Sequence, residues 1–295
     1  MNNKMQLFIF LFTAVFVANG QQKPLQIGLI ADIQYADKAD RGTRFYRASL
    51  DKLREGISSL NEAQTDLTVV LGDLVDEGPK DLMPVMTLLK QSRSPVYSLL
   101  GNHDYESVKE PGTLYKALEM PAPYYSTDRA GWRFIFLNTN ELSSYATVPG
   151  SKEEAEFKLL AEQQKKLGRT HVVPWNGGIS RKQMKWLEKQ LRKAGKENLK
   201  VLVFMHHPLF PEDNTHDALN NREILDLLTK YRQVKAAISG HNHAGAFGVY
   251  RGLPCITLEG MVETAGSNAY GILTLLENKL IISGTGRLTS REIDF

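Results

Sequence analysis

The chain has 295 residues, 42% of them hydrophobic and 23% charged, a globular composition that excludes disordered, collagen-like and coiled-coil proteins. A formal net charge of +3 with no long Lys/Arg run argues against a nucleic-acid binder. The single cysteine, Cys255, excludes an intramolecular disulfide framework and cysteine-rich metal sites, so the chemistry falls to His, Asp and Asn.

In chain order, residues 1–20 read as a signal peptide: Lys4 in a polar start, the apolar run Leu7 to Ala18, then Ala18-Asn19-Gly20 as a small-x-small cleavage site. The run falls short of the ~20 residues that span a bilayer. The expectation is a secreted or periplasmic protein, with no membrane association once the signal is removed, and 21–295 as a single domain without repeats or linkers.

Short apolar runs ending in polar residues then recur. Leu25-Gln-Ile-Gly-Leu-Ile-Ala-Asp32, Leu67-Thr-Val-Val-Leu-Gly-Asp73, Val96-Tyr-Ser-Leu-Leu-Gly-Asn102, Val201-Leu-Val-Phe-Met-His206 and, less regularly, Val234 to His241 read as buried strands. Between them, Tyr46, Leu50, Leu53, Ile57 and Leu60 share one helical face. A surface helix without obvious chemistry is expected over 151–171. Ser180-Arg-Lys-Gln183 has capping-box spacing ahead of the stripe Met184, Leu187 and Leu191. A third amphipathic helix is expected over 217–231, and antiparallel strands over 246–259 and 270–288. Cys255, in one of these, reads as a small core residue. This alternation argues an α/β layered domain.

The polar residues fall at strand ends: Asp32 and Gln34, Asp73 and Asp76, Asn102 and His103, His206, His241 and His243. In open α/β sheets that edge is where ligands bind. His171 and His216 lie outside the set and are read as surface or structural. Carboxylate, carboxamide and imidazole groups suit first-row divalent ions. So many of them exceed what one ion can use, and two ions sharing a carboxylate suit in-line displacement at phosphorus.

The ordered motifs Asp32-Ile-Gln34, Gly72-Asp-Leu-Val-Asp76, Gly101-Asn-His-Asp104, His206 and Gly240-His-Asn-His243 resemble the calcineurin-like metallophosphoesterases. Gln34 stands where most of that superfamily has a histidine. Together with Arg44-Phe-Tyr-Arg47, Trp175-Asn-Gly-Gly-Ile-Ser180 and Leu258-Glu-Gly-Met-Val-Glu-Thr264, it is similar to the manganese-dependent ADP-ribose/CDP-alcohol diphosphatase branch. The resemblance implies a layered α-β-β-α sandwich of two mixed sheets flanked by helices. It also implies two divalent ions, Mn²⁺ with Fe or Zn as alternatives, bridged by Asp73. Asp32, Gln34 and His243 would complete one shell, and Asn102, His206 and His241 the other. His103 would serve the leaving oxygen, oriented by Asp76, while hydroxide attacks phosphorus. Substrate contacts are expected from Tyr35, Arg44, Arg47 and His207, with Asn176 and the glycines after it as a loop over the site. The substrate would be a small nucleoside diphosphate-linked molecule. The alternatives are a phosphodiesterase or phosphomonoesterase acting on cyclic nucleotides, glycerophosphodiesters or other esters, and a non-catalytic scaffold of the same fold. No His-Glu-x-x-His helix supports a zinc peptidase.

Overall fold

The computed structural model describes residues 23–212 and 214–295, so the reading of 1–20 as a signal lies outside the described residues. The chain runs β1 (Leu25–Ile30), α1 (Ser49–Glu62), β2 (Leu67–Leu71), α2 (Leu82–Leu89), β3 (Val96–Leu99) and α3 (Gly112–Ala117). It continues through β4 (Tyr125–Arg129), β5 (Trp132–Phe136), α4 (Lys152–Lys166), α5 (Arg181–Lys196), β6 (Lys200–Phe204) and α6 (Asn221–Leu228). Six strands close it: β7 (Val234–Ser239), β8 (Ala244–Tyr250), β9 (Leu253–Glu259), β10 (Ala269–Leu275), β11 (Lys279–Gly286) and β12 (Arg291–Asp294).

Two six-stranded mixed sheets result, ordered β12-β11-β10-β1-β2-β3 and β4-β5-β6-β7-β9-β8. In the first, β1, β2 and β3 are parallel and β10 lies antiparallel to β1. In the second, β5, β6, β7 and β9 are parallel and β4 and β8 are antiparallel edges. Side chains alternate across each strand, so neighbours enter different layers. Leu29 and Val69 of the first sheet meet Phe136 and Phe204 of the second in the core between the sheets. Tyr125 and Phe136 stack at 4.6 Å between ring centroids, and Phe136 and Phe204 at 5.3 Å. Ile30 and Val70 turn the other way, onto Leu53, Ile57 and Leu60 of α1 and Val85 of α2. Ile135 and Val203 likewise face Leu187 and Leu191 of α5 and Ile224 of α6. The layers are therefore helix, sheet, sheet, helix. Cys255 is buried in this last layer, where burial pushes its thiol up to about 12.

Three expectations need adjustment. The first helix begins at Ser49; Tyr46 lies on the turn before it, and Leu50 is only half-buried. The helix expected over 217–231 is confined to Asn221–Leu228. Polar side chains before it fasten loops instead: Asn220 exchanges hydrogen bonds with the backbone of Ile179, through Oδ1 at 3.1 Å and Nδ2 at 2.8 Å. Elements β4, β5, α2, α3 and β12 add to the predicted set. The capping box holds, with Ser180 Oγ accepting from Gln183 N at 3.1 Å, and Ser151 caps α4 in the same way. Among the described residues, no helix is long and apolar enough to cross a membrane.

Candidate metal centre

Parallel strands of both sheets deliver their C-terminal ends to one crevice. Asp32 and Gln34 follow β1, Asp73 and Asp76 follow β2, Asn102 and His103 follow β3, His206 follows β6, and His241 and His243 follow β7. The chain turns abruptly there. Asp32, Gln34, Asp73 and His241 have φ of 52°, 42°, 50° and 69°, a left-handed conformation that non-glycine residues adopt at a cost and keep where surrounding structure enforces it. Space is equally restricted: a Cβ on Gly101 would lie 2.1 Å from Asp73 Oδ1. That glycine lets the β3 loop press against the carboxylate.

The oxygen donors come from the first sheet. Asp73 is buried; its Oδ1 accepts from His103 N at 2.9 Å and its Oδ2 from Gln34 Nε2 at 3.0 Å. Burial alone would raise its pKa, but the neighbouring His206 and His103 outweigh that and hold the carboxyl well below its usual range. Both Asp32 oxygens accept from His241 N, at 3.0 and 3.1 Å. Burial pushes the Asp32 carboxyl up, with His243 and His206 opposing. Gln34 gives its NH₂ to Asp73 and leaves its buried Oε1 without a partner. An orphaned buried carbonyl is costly unless something positive meets it.

The nitrogen donors come from the second sheet, and each imidazole is fixed from behind. His206 Nδ1 lies 2.7 Å from Leu71 O, His241 Nε2 lies 2.9 Å from Asn176 Oδ1, and His243 Nδ1 lies 2.8 Å from Glu263 Oε1. A nitrogen that donates outward leaves the other with its lone pair facing in, the tautomer a metal ligand needs. His206 Nε2 accordingly sits 3.3 Å from Asn102 Oδ1 and 3.5 Å from Asp73 Oδ2, and His243 Nε2 sits 3.7 Å from Asp32 Oδ1. Burial opposes charge on His206, yet the carboxylates of Asp73 and Asp32 outweigh it and raise the ring to about 9. Asp32, Asp73 and His243 form one group whose ligand atoms converge, and His206 and His241 converge in another with His207, whose own nitrogens are taken up by Thr139 Oγ1 and Trp175 O. The oxygen-rich donor set, the orphaned Gln34 oxygen and the inward lone pairs fit a pair of divalent ions.

Around these groups lies a cavity of about 600 Å³ lined by Gln34, Arg44, His103, Trp175, His216 and His243 among others. A slightly larger groove of about 630 Å³ between α4 and α5 is lined by Leu142, Leu159, Leu160 and Met184 and holds no such cluster. At the catalytic cavity, His103 Nδ1 is 3.2 Å from Asp76 Oδ1 and 3.1 Å from Asp76 O, so its other nitrogen is left for the cavity. Lys38 in turn pairs with Asp76.

The expected substrate contacts separate. Arg44 lines the cavity, loosely placed 3.9 Å from Asp76 Oδ1 and 3.8 Å from Glu263 Oε1. Arg47 does not: it is exposed and pairs with Asp37 at 2.6 Å. Tyr35 is half-buried and packs on the apolar layer below α1. His207 is fully buried behind the site, with Nδ1 2.8 Å from Thr139 Oγ1 and Nε2 3.1 Å from Trp175 O. Burial and the neighbouring His206 push its pKa down to about 3, so it is a neutral spacer. Asn176 is buried, with Oδ1 against His241, and it is Trp175 that lines the cavity. His216, read from sequence as surface or structural, lines the cavity with its ring 5.3 Å from that of His241. His171 is buried, its Nε2 3.4 Å from Leu219 O.

Sequence reasoning missed Glu263, whose carboxyl the hydrogen bond to His243 holds down to about 2. It also missed Asn138, Thr139 and Asn140 at the end of β5, although Trp132-Arg-Phe-Ile-Phe-Leu137 followed by Asn138 repeats the apolar-then-polar signature of the other strands. Thr139 fixes His207, and Asn140 Nδ2 donates to Leu100 O at 2.6 Å. Lys52 donates to the carbonyls of Met261, Glu263 and Thr264, clamping the loop that carries Glu263.

The chain is similar to several known proteins. The chain is 28% identical to the manganese-dependent ADP-ribose/CDP-alcohol diphosphatase of Homo sapiens, covering 95% of each chain. It is also 28% identical to the Arabidopsis thaliana protein of the same name, over 94% of this chain and all of that one. The crystal structure of a dimetal phosphatase from Danio rerio superposes with a TM-score of 0.84 at 27% identity, covering 92% of this chain and 99% of that one. The family model for calcineurin-like phosphoesterases matches residues 25–245, which hold every proposed metal-binding group. The chain belongs to the calcineurin-like phosphoesterase family, as a metal-dependent phosphoester hydrolase.

Proposed function

We propose that this chain is a manganese-dependent diphosphatase that splits nucleoside diphosphate-linked substrates of the ADP-ribose or CDP-alcohol kind into two phosphomonoesters. The observation that carries the manganese assignment is Gln34, whose partnerless Oε1 adds an oxygen donor where an imidazole would favour zinc. The near full-length relatives named for that activity support the substrate class.

Asp32, Gln34, Asp73 and His243 would hold one ion, and Asn102, His206 and His241, with Asp73 beside them, would hold the other. Bound there, such a pair supplies Lewis acidity at phosphorus and activation of water at neutral pH. The chain's own groups do the rest. His103, aligned by Asp76, donates a proton to the departing phosphate oxygen. Arg44 has only loose carboxylate neighbours, and its planar fork is free to take the substrate's second phosphate. Glu263 and Asn176 hold His243 and His241 in the ligating tautomer.

The test is turnover of ADP-ribose, CDP-choline, a cyclic nucleotide and p-nitrophenyl phosphate with added Mn²⁺, Zn²⁺ or chelator. Manganese-dependent release of AMP from ADP-ribose is expected. Faster turnover of the cyclic nucleotide or the monoester would replace the diphosphatase by a phosphodiesterase or phosphomonoesterase. Lys4, the run Leu7–Ala18 and the small-residue site after it support export to the periplasm or medium. N-terminal sequencing of the mature protein, expected to begin near Gln21, tests that.

A further inference from the structure

We propose that Trp175 is the platform on which the substrate's nucleobase stacks, an inference that rests on the diphosphatase reading and names how its nucleoside half is held. Among the described residues, Trp175 is the one large hydrophobic side chain left exposed, at 45%, that also lines the catalytic cavity. The other two tryptophans have ring partners: Trp186 lies 4.9 Å from Tyr124 and Trp132 lies 6.0 Å from Phe295. No described ring stacks on Trp175.

Its exposure is not looseness. Ser144 Oγ donates to Pro174 O at 3.1 Å, and His207 Nε2 sits 3.1 Å from Trp175 O. Asn176 Nδ2 donates to His171 O at 2.9 Å and Thr215 O at 2.7 Å, while its Oδ1 faces His241. The backbone is therefore tied before, at and after the indole, and tied to the metal centre itself. An indole carried on so firmly tied a backbone at the rim of a phosphate site leaves less for binding to order than one on a free loop. The same hydrogen bonds tie its loop to Thr215, next to His216, a second ring in the cavity wall.

Stacking reads a flat π-face and not a donor–acceptor pattern, so adenine and cytosine fit the same surface. This accounts for one site taking both adenosine- and cytidine-linked diphosphates. The cavity of about 600 Å³ is of the size that encloses such ligands.

The experiment measures binding of the product AMP to the Mn²⁺-loaded protein by tryptophan fluorescence and calorimetry, with ribose 5-phosphate as the base-free comparison. Wild type should show quenching by AMP. Trp175→Ala should raise the AMP Kd by about tenfold or more while the Kd for ribose 5-phosphate moves less than twofold, and Trp175→Phe should recover most of the loss. In turnover of ADP-ribose, Trp175→Ala should raise KM and leave kcat within about threefold. Equal weakening of both ligands would mean the loop and not the ring was lost, and would overturn the proposal. So would an unchanged AMP Kd. If wild type hydrolyses ADP-ribose with Mn²⁺ but Trp175→Ala binds AMP normally, the platform falls and the diphosphatase stands. If AMP binding depends on Trp175 but neither ADP-ribose nor CDP-choline is hydrolysed, the platform stands and the diphosphatase falls.

Discussion

The two sheets contribute different chemistry to one crevice and hold it by different means. The first sheet supplies oxygen donors, Asp32, Gln34, Asp73 and Asn102, three of them set by left-handed backbone turns. The second supplies imidazoles, His206, His241 and His243, and only His241 sits on such a turn; all three are set by acceptors behind the ring. The oxygen donors need their backbone aimed. Imidazoles need their tautomer chosen as well, and a hydrogen bond does both. The halves also restrain each other: Leu71 O of the first sheet takes His206, and Asp32 takes the backbone of His241. Neither sheet alone has a site.

The largest effect should follow from breaking the oxygen half. Asp73→Ala removes the acceptor shared by Gln34 and His103 and is expected to lower kcat/KM by several orders of magnitude. Metal analysis should then find fewer than two ions per chain; a variant with both ions and full activity would end the shared-carboxylate assignment. His103 belongs to neither donor set. His103→Ala should keep both ions and lose roughly 10²–10⁴ in kcat, as removal of a general acid does. If it came out metal-depleted, His103 would count among the ligands. Glu263→Gln loosens the nitrogen half from behind: Mn²⁺ affinity should fall about 10–100-fold, read from the Mn²⁺ concentration giving half-maximal activity. An unchanged titration would make Glu263 a fold residue only. Gln34→His replaces an oxygen donor by a nitrogen one and should shift preference rather than rate, retaining Fe or Zn through purification and shrinking stimulation by added Mn²⁺ several-fold. Wild type holding two tight zinc ions and ignoring Mn²⁺ would sink that account. Smallest of all, Arg47→Ala should change kcat/KM by less than about twofold, because its exposed pair with Asp37 lies outside the cavity. A loss of about tenfold or more would contradict the separation of Arg47 from the cavity.

What the sequence made legible follows from what is local. Asp32, Asp73, Asn102, His206 and His241 each sit one to three residues past an apolar run, and such runs mark strands without knowledge of their neighbours. Arg44 and Arg47 are three residues apart, and nothing local says that one faces the cavity and the other Asp37. Glu263 and Asn176 matter through rings on distant strands, so their roles exist only once the sheets are packed. His216 was passed over because no strand precedes it. Its place depends on the Asn214 to Asn220 segment staying non-helical, against its amphipathic pattern, while Asn220 fastens Ile179. Local periodicity does not record such long-range fastening.

The stacked rings between the sheets have a consequence at the site. Phe204 lies two residues before His206; its ring stacks on Phe136 of the neighbouring strand, and Phe136 meets Tyr97 of the first sheet at 5.6 Å between centroids, so these rings help set how far apart the sheets stand. The aromatic stack is thus a spacer that sets the width of the opening between oxygen and nitrogen donors, although no atom of it touches that opening. Metal coordination tolerates errors of a few tenths of an ångström, whereas a hydrophobic core survives larger adjustments. The ability to hold ions should therefore fade before the fold does, with metal retention on warming as the earliest sign that the spacer has begun to give.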